Sequence, residues 1–304
     1  MINGFVVIDK PAGITSHDVV SRVRRILGTR KVGHTGTLDP FATGVLPVAV
    51  HDGTKTIPFL DEGVKCYEAL MQLGVATDTL DMTGTVLREG DYSDVFEQQL
   101  RNVFDRFTGS IQQIPPMYSA IKQGGQPLYK LARQGLEVER PPRPVEIHAI
   151  ELLSVALPFV SIRVTCSRGT YIRTLADDIG AALGCGAALK ELCRTASGLF
   201  EIGAATTLDD LTCAAEAGET ASLCISPFEA LAYLQDIPLT DAGLSKVSFG
   251  RPPLWQDTTG NAAVMSNAGE LVRLSHNGVL VAVARLQAGG EGMPSIVLQR
   301  VFIS

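Results

Sequence analysis

No run of about 18 consecutive apolar residues, the length of a membrane-spanning helix, occurs in these 304 residues, so a membrane span is not expected. The first residues lack a basic stretch followed by an apolar core and a cleavage site. Met1–Lys10 reads directly into a strand, which points to the cytoplasm. Cysteine is sparse: six, at 66, 166, 185, 193, 213 and 224, with no Cys-x-x-Cys pair. Zinc sites are usually built on such close pairs, so these read as reduced thiols used as small apolar side chains. Four of the histidines (His17, His51, His148 and His276) are scattered and do not read as ligands. Internal repeats, low-complexity tracts and coiled-coil heptads are also missing, which favours a monomer. A surplus of basic residues is lacking too, with 26 Lys and Arg against 32 Asp and Glu and a net charge of −6. Phosphate binding needs positive surface, so the total argues against nucleic acid. Its distribution weakens that argument. Residues 201–240 hold seven acids and no Lys or Arg, and −6 + 7 leaves +1 on the remainder.

What is present fits a globular chain with a substantial core, 45% hydrophobic and 19% charged, long enough for one large or two smaller domains. Residues 4–9 read as a short strand before Pro11. Thr15-Ser16-His17-Asp18 supplies helix caps before Val19, Val20, Val23, Ile26 and Leu27, and Gly28 stops that helix. Arg22, Arg24 and Arg25 share its other face, with Arg30 and Lys31 just beyond. They make either a solvated face or a phosphate-tracking patch. Strands are expected at 44–50, 65–73, 83–88, 145–153 and 160–167, and helices at 92–107 and from about 170 to 183. The Gly-, Pro- and Lys/Arg-rich stretch 109–144 reads as a long mobile insertion. Residues 205–235 read as helical with turns. From about 238 the pattern becomes short strands and Gly turns, at 264–265, 270–273, 278–284 and 295–302, a small all-β unit after a larger α/β one.

The chemistry concentrates in Lys31-Val-Gly-His-Thr-Gly-Thr-Leu-Asp-Pro-Phe-Ala-Thr-Gly44. Gly33, Gly36 and Gly44 allow a positive φ or a close backbone approach. His34 and Asp39 are its strong acid/base groups, and Pro40 restricts Asp39 to extended geometry. The loop thus presents one carboxylate in a rigid setting. Asp before Pro is also a common turn starter, and on spacing alone the turn reading leads. The Gly-Lys-Ser/Thr ending of a phosphate loop is missing.

Gly33-His-Thr-Gly-Thr-Leu-Asp-Pro-x-Ala-Thr-Gly44 resembles the signature of the TruB family of pseudouridine synthases. Further motifs follow in the family's order over roughly residues 1–200: Lys10-Pro-x-Gly-x-Thr-Ser16, Lys65-Cys-Tyr67, Gly74-Val-Ala-Thr-Asp-Thr-x-Asp81, Pro115-Pro-Met-Tyr-Ser-Ala-Ile-Lys122 and Arg168-Gly-Thr-Tyr-Ile-Arg173 with Asp178-Ile-Gly180. The resemblance implies an α/β (α+β) fold around a bent, largely antiparallel mixed sheet. It divides the chain into a catalytic domain at 1–237, with the RNA-binding insertion at 109–144, and a PUA-like β domain at 238–304. The implied activity is isomerisation of the T-loop uridine of tRNA (position 55 in tRNA numbering), with no cofactor or metal. The expected partner is the tRNA T-arm, without an obligate protein partner.

The same resemblance implies residue roles. Asp39 would be the catalytic carboxylate, Arg173 its ionic partner, and Tyr67 the aromatic stacked on the target base. His34 would help hold the flipped nucleotide, and Leu192 would line the pocket. Lys10 and Lys55 would sit near RNA or support the loop, with Arg22, Arg25 and Lys31 on the RNA side. Taken without the resemblance, Tyr67 is a core or cross-strand aromatic and Arg173 a surface ion-pair former, while Asp78 and Asp81 are turn residues. Two departures from the family pattern are His51-Asp-Gly-Thr-Lys55, where Gly-x-Ala-Thr-Lys is frequent, and Cys193, where another basic residue is frequent. A guide-dependent modifier of ribosomal RNA, a non-catalytic RNA-binding or RNA-folding module and a nucleoside or glycoside hydrolase are the alternatives.

Overall fold

The computed structural model describes residues 2–61, 63–259, 269–288 and 294–302. Its main sheet runs in the order Gly4–Lys10, Thr43–Val50, Ala187–Ser197, Val64–Leu73, Phe159–Ser167, Arg143–Ala156, Gly109–Gln113, with Val32–His34 and Phe200–Glu201 pairing off that path. All contacts are antiparallel except Ala187–Ser197 against Thr43–Val50, so the sheet is mixed. Register shifts at Leu189/Glu191 and Arg194/Ala196 break the ladder beside the site, and bulges of this kind bend a strand.

Alternation sets the layers. In Val64–Leu73, Tyr67, Ala69, Met71 and Leu73 are buried while Glu68, Leu70 and Gln72 are half-exposed, as a period of two demands. The buried face meets the helices Glu97–Phe107 and Ile172–Leu183 in one core that includes Leu100, Phe104, Leu175 and Ile179. Gly180 decides how near the second helix comes, because a Cβ there would lie 2.1 Å from the Ala187 nitrogen. The helix Ser16–Ile26 begins with a capping box between Thr15 and Asp18, buries Val19, Val20 and Val23, and gives way to Gly28 at φ +62°.

A second sheet, Gln235–Pro238, Leu271–His276, Val279–Gln287 and Ser295–Val301, encloses its own core of Ile237, Val272, Leu274, Val281 and Ile296. Leu231, Leu234, Leu280, Val283 and Phe302 pack with Phe59 and Leu60 between the two sheets. Two sequence expectations change here. The break expected between 237 and 238 falls inside the strand Gln235–Pro238; Pro238 ends an edge strand, where a missing N–H costs no ladder bond. The segment 109–144 is not one long loop. Gly109–Gln113 pairs with Arg143–Ala156 as the edge of the main sheet, and the rest contains a short hairpin and the helix Leu128–Ala132. The strand expected at 264–265 lies outside the described residues.

Gly180→Ala overpacks the helix–sheet contact and is expected to destabilise the fold by about 1–3 kcal/mol in urea unfolding. Gly203→Ala, where an added Cβ meets nothing within 4 Å, is expected to stay within about 0.5 kcal/mol.

Candidate active site

Asp39 follows a short strand and precedes a buried one, and the backbone on both sides of it is held from below. Leu38 N–H donates to Ser16 Oγ at 2.9 Å, and that hydroxyl donates back to Leu38 O at 3.2 Å. Pro40 O accepts from Gly13 N–H at 2.8 Å and from Lys10 Nζ at 3.2 Å. Lys10 Nζ also donates to Pro11 O and Ile14 O, both at 2.8 Å, so its three protons are all used. Burial pushes the Lys10 ammonium down to about 8 against the attraction of Asp39 and Asp18. Lys10 is 0% exposed. It supports the loop and has no surface to offer RNA, because a lysine whose donors all find carbonyls can stay buried.

Arg173 meets Asp39 in a fork. Nε donates to Oδ2 at 2.9 Å and Nη2 to Oδ1 at 3.1 Å, the bidentate geometry that gives such pairs both strength and direction. The remaining donors go to Thr79 O at 2.9 Å and Tyr118 O at 2.7 Å, with Asp81 Oδ2 at 3.7 Å. Arg173 is 3% exposed and Asp39 33%, so the pair opens to solvent on the carboxylate side. Burial pushes the Asp39 carboxyl above its usual range, Arg173 and Lys10 pull it back, and Asp81 pushes it up further. Gln113 sets where the arginine's helix starts, its side-chain amide bonding both Tyr171 N and Tyr171 O at 2.8 and 3.0 Å.

Tyr67 and Leu192 lie on adjacent strands, each 7% exposed. Burial raises the Tyr67 phenol, opposed by the charge of Arg194, which stands opposite it on the neighbouring strand. His34, paired in register with Val48, is half-buried and T-stacked on His17 at 5.5 Å. Burial pushes its imidazole below the ordinary value, helped by His17 and Arg194, so the ring is neutral at pH 7. Lys55 and Lys31 are not brought to Asp39. Lys55 pairs with Asp52 at 2.8 Å, and Lys31 O accepts from His51 N–H; both lie past Val50, the other end of the strand that starts at Thr43. That strand spans roughly 23 Å at about 3.3 Å per residue. Arg22 and Arg25 are exposed on the helix that runs between the two ends.

Sequence reasoning missed three groups. Asp81 reads as a turn residue and is one, bonded to Thr79 and Thr83, but that turn is buried beside Arg173. Gln113 was hidden inside the stretch read as insertion. Arg194, 1% exposed, donates to Val45 O and Gly36 O; its place two residues after Leu192, on the same face of an alternating strand, was the available signal.

Residues 24–172 match the family pattern of the TruB family pseudouridylate synthase N-terminal domain, and residues 173–232 that of the tRNA pseudouridylate synthase B C-terminal domain. The chain is 53% identical over 303 residues to the tRNA pseudouridine synthase B of Geotalea uraniireducens (strain Rf4), covering 99% of this chain and 98% of that one. It is 51% identical over 303 residues to the tRNA pseudouridine synthase B of Geobacter sulfurreducens (strain ATCC 51573 / DSM 12127 / PCA), covering 99% and 100%. Among solved structures it is similar to a Cbf5-Nop10-Gar1 complex, at a TM-score of 0.76 and 30% identity over 99% of this chain and 85% of that one. An H/ACA RNP bound to a substrate RNA containing 2'-deoxyuridine is similar at 0.75 and 29%, over 99% and 86%.

Arg173→Met leaves two carboxylates without their shared cation and is expected to cost about 3–5 kcal/mol in urea unfolding. With the arginine gone, the folded-state pKa of the Asp39 carboxyl rises further. A raised acid loses stability as pH increases, so the deficit is expected to be larger at pH 8 than at pH 5. Separately, the His34 imidazole is expected to titrate below 6.5 in an NMR pH series; a midpoint at or above that value contradicts the environment described.

Proposed function

Because the chain belongs to the TruB family of pseudouridylate synthases, we propose that it isomerises the T-loop uridine of tRNA to pseudouridine, acting alone through Asp39. The observation that carries this reading is the forked Asp39–Arg173 pair, buried on the arginine side and open on the carboxylate side. The reaction breaks the C1′–N1 bond of the uridine, turns the base and joins C1′ to C5; C5 gives up its proton and N1 takes one up, so the composition is unchanged. Asp39 serves it as an ionised carboxylate, either attacking C1′ or taking a proton. Arg173 keeps it ionised where burial favours the neutral acid and fixes the direction of its oxygens.

The other residues hold the nucleotide. A uridine inside a folded arm must be turned out of its stack at a cost of a few kcal/mol. Stacking on an aromatic ring returns about 1–3 kcal/mol per base, so the Tyr67 ring offsets part of that cost, with Leu192 beside it. A neutral His34 contributes hydrogen bonds without adding charge. Arg22 and Arg25 on the exposed helix face, Lys31 and Lys55 beyond it, and the basic residues of the 109–144 segment track phosphates of the T-arm. The body built on the second sheet, expected at 238–304 and beginning with the strand at 235, serves as a PUA-like grip on RNA outside the site, and residues 1–237 form the catalytic domain. On this reading the protein works in the cytoplasm as a monomer with tRNA as its partner, and needs neither a cofactor nor an obligate protein. No helix among the described residues is long and apolar enough to cross a membrane.

The likeness to H/ACA complexes supports a second reading, modification guided by a separate RNA. Site-resolved pseudouridine mapping on an unmodified tRNA transcript separates the two. The unsubstituted protein is expected to modify the T-loop uridine without additions, and Asp39→Asn to slow this on the order of 10⁴-fold or more. A folded protein that modifies nothing on bare tRNA contradicts the stand-alone reading, and release of free uracil points to a hydrolase.

A further inference from the structure

Arg194 heads the fully buried side chains by volume, at 1% exposure. Burying a guanidinium is costly unless its donors are met, and among the described residues its hydrogen bonds run to backbone carbonyls. Nε donates to Val45 O at 2.8 Å and Nη2 to Gly36 O at 3.1 Å. Those two carbonyls flank Asp39 in the chain, one in the loop before it and one in the strand after it. The register explains the reach, since Arg194 stands opposite Gly44 in one neighbouring strand and opposite Tyr67 in the other. Glycine at both loop positions permits this approach. A Cβ on Gly44 would lie 2.3 Å from Arg194 O, and one on Gly36 would lie 2.9 Å from Lys65 Nζ and 3.5 Å from Arg194 Nη1.

We propose that Arg194 is a positioning residue that sets the separation between the Asp39 loop and the Tyr67 ring, tying Gly36 and Val45 through one planar group to the strand position opposite Tyr67. The proposal rests on the pseudouridylation reading for its functional meaning, but its geometry stands apart from it. A guanidinium offers five donors in a rigid fork, so it holds its two carbonyl acceptors at a fixed mutual distance. A lysine is a point donor on a flexible stem and holds fewer. A methionine fills the volume and holds none. Because the nucleotide would lie between Tyr67 and Asp39, a shift in their separation alters the reacting geometry more than the affinity for the rest of the tRNA.

Arg194→Met and Arg194→Lys test this beside Met71→Ala, a core truncation at 0% exposure on the Tyr67 strand that lies outside the site. Single-turnover conversion of unmodified tRNA, tRNA binding, thermal unfolding and amide hydrogen exchange at residues 37–39 are measured on each full-length protein. Arg194→Met is expected to convert about 100-fold more slowly, the scale of an ångström-sized misplacement, with tRNA binding within about threefold of the unsubstituted protein. Partial rescue to a loss of about tenfold is expected for Arg194→Lys. Amide exchange at Thr37 and Leu38 is expected to quicken at least about tenfold in Arg194→Met and not in Met71→Ala. A rate loss no greater than that of Met71→Ala, or one seen only in binding, overturns the proposal. Unchanged exchange in the loop does so as well, even for a protein with no activity on tRNA, an outcome that would instead sink the functional reading. If Arg194→Met does not fold, Arg194→Lys carries the same comparisons.

Discussion

The forked pair between Arg173 and Asp39 is the constraint on which the rest of the site depends. A guanidinium at 3% exposure is tolerable only where every donor has a partner, and here the partners come from three separated parts of the chain: Asp39, the turn that holds Thr79 and Asp81, and Tyr118. Each must be delivered by its own support. Gln113 fixes the start of the arginine's helix, the Thr79–Thr83 turn orients Asp81, and Ser16, Gly13 and Lys10 hold the backbone on both sides of Asp39. Any one of these loosened would leave a buried charge short of a partner, which is why a single ion pair can organise so much surrounding structure.

Carbonyl oxygens do much of the neutralising that carboxylates usually do. Lys10 is met by three carbonyls and Arg194 by two. Carbonyl dipoles stabilise a cation without adding a negative charge, so the field beneath the loop stays positive. That field counters the burial that raises the Asp39 carboxyl, and through Arg194 it adds to the burial that chiefly keeps His34 from gaining a proton. Additional acids around Asp39 would have reversed both effects.

How much was legible in the sequence differs from element to element. The helix Ser16–Ile26 announced itself through its cap and its apolar spacing, because both are local. The Asp39 loop was legible for the same reason: glycines and Asp-Pro impose backbone geometry on themselves. For Lys10 the resemblance left two places open, near RNA or in support of the loop, and only the tertiary structure revealed three carbonyls converging on it. Gln113 vanished into a stretch whose Pro and Gly content reads as loop, although its strand pairs across to Arg143–Ala156. Pro238 looked like a boundary, yet an edge strand accommodates it.

By itself the sequence determined the local backbone that presents the candidate groups, since a carboxylate before proline in a glycine-rich loop needs no distant partner to be shaped. The tertiary structure alone decided what surrounds them. Asp39 and Arg173 are 134 residues apart, and they meet because sheet register and a glycine-permitted helix contact place one helix turn opposite one loop. Charge state, exposure and mutual distance follow from that meeting, and none of these is a property of a residue or its neighbours in the chain.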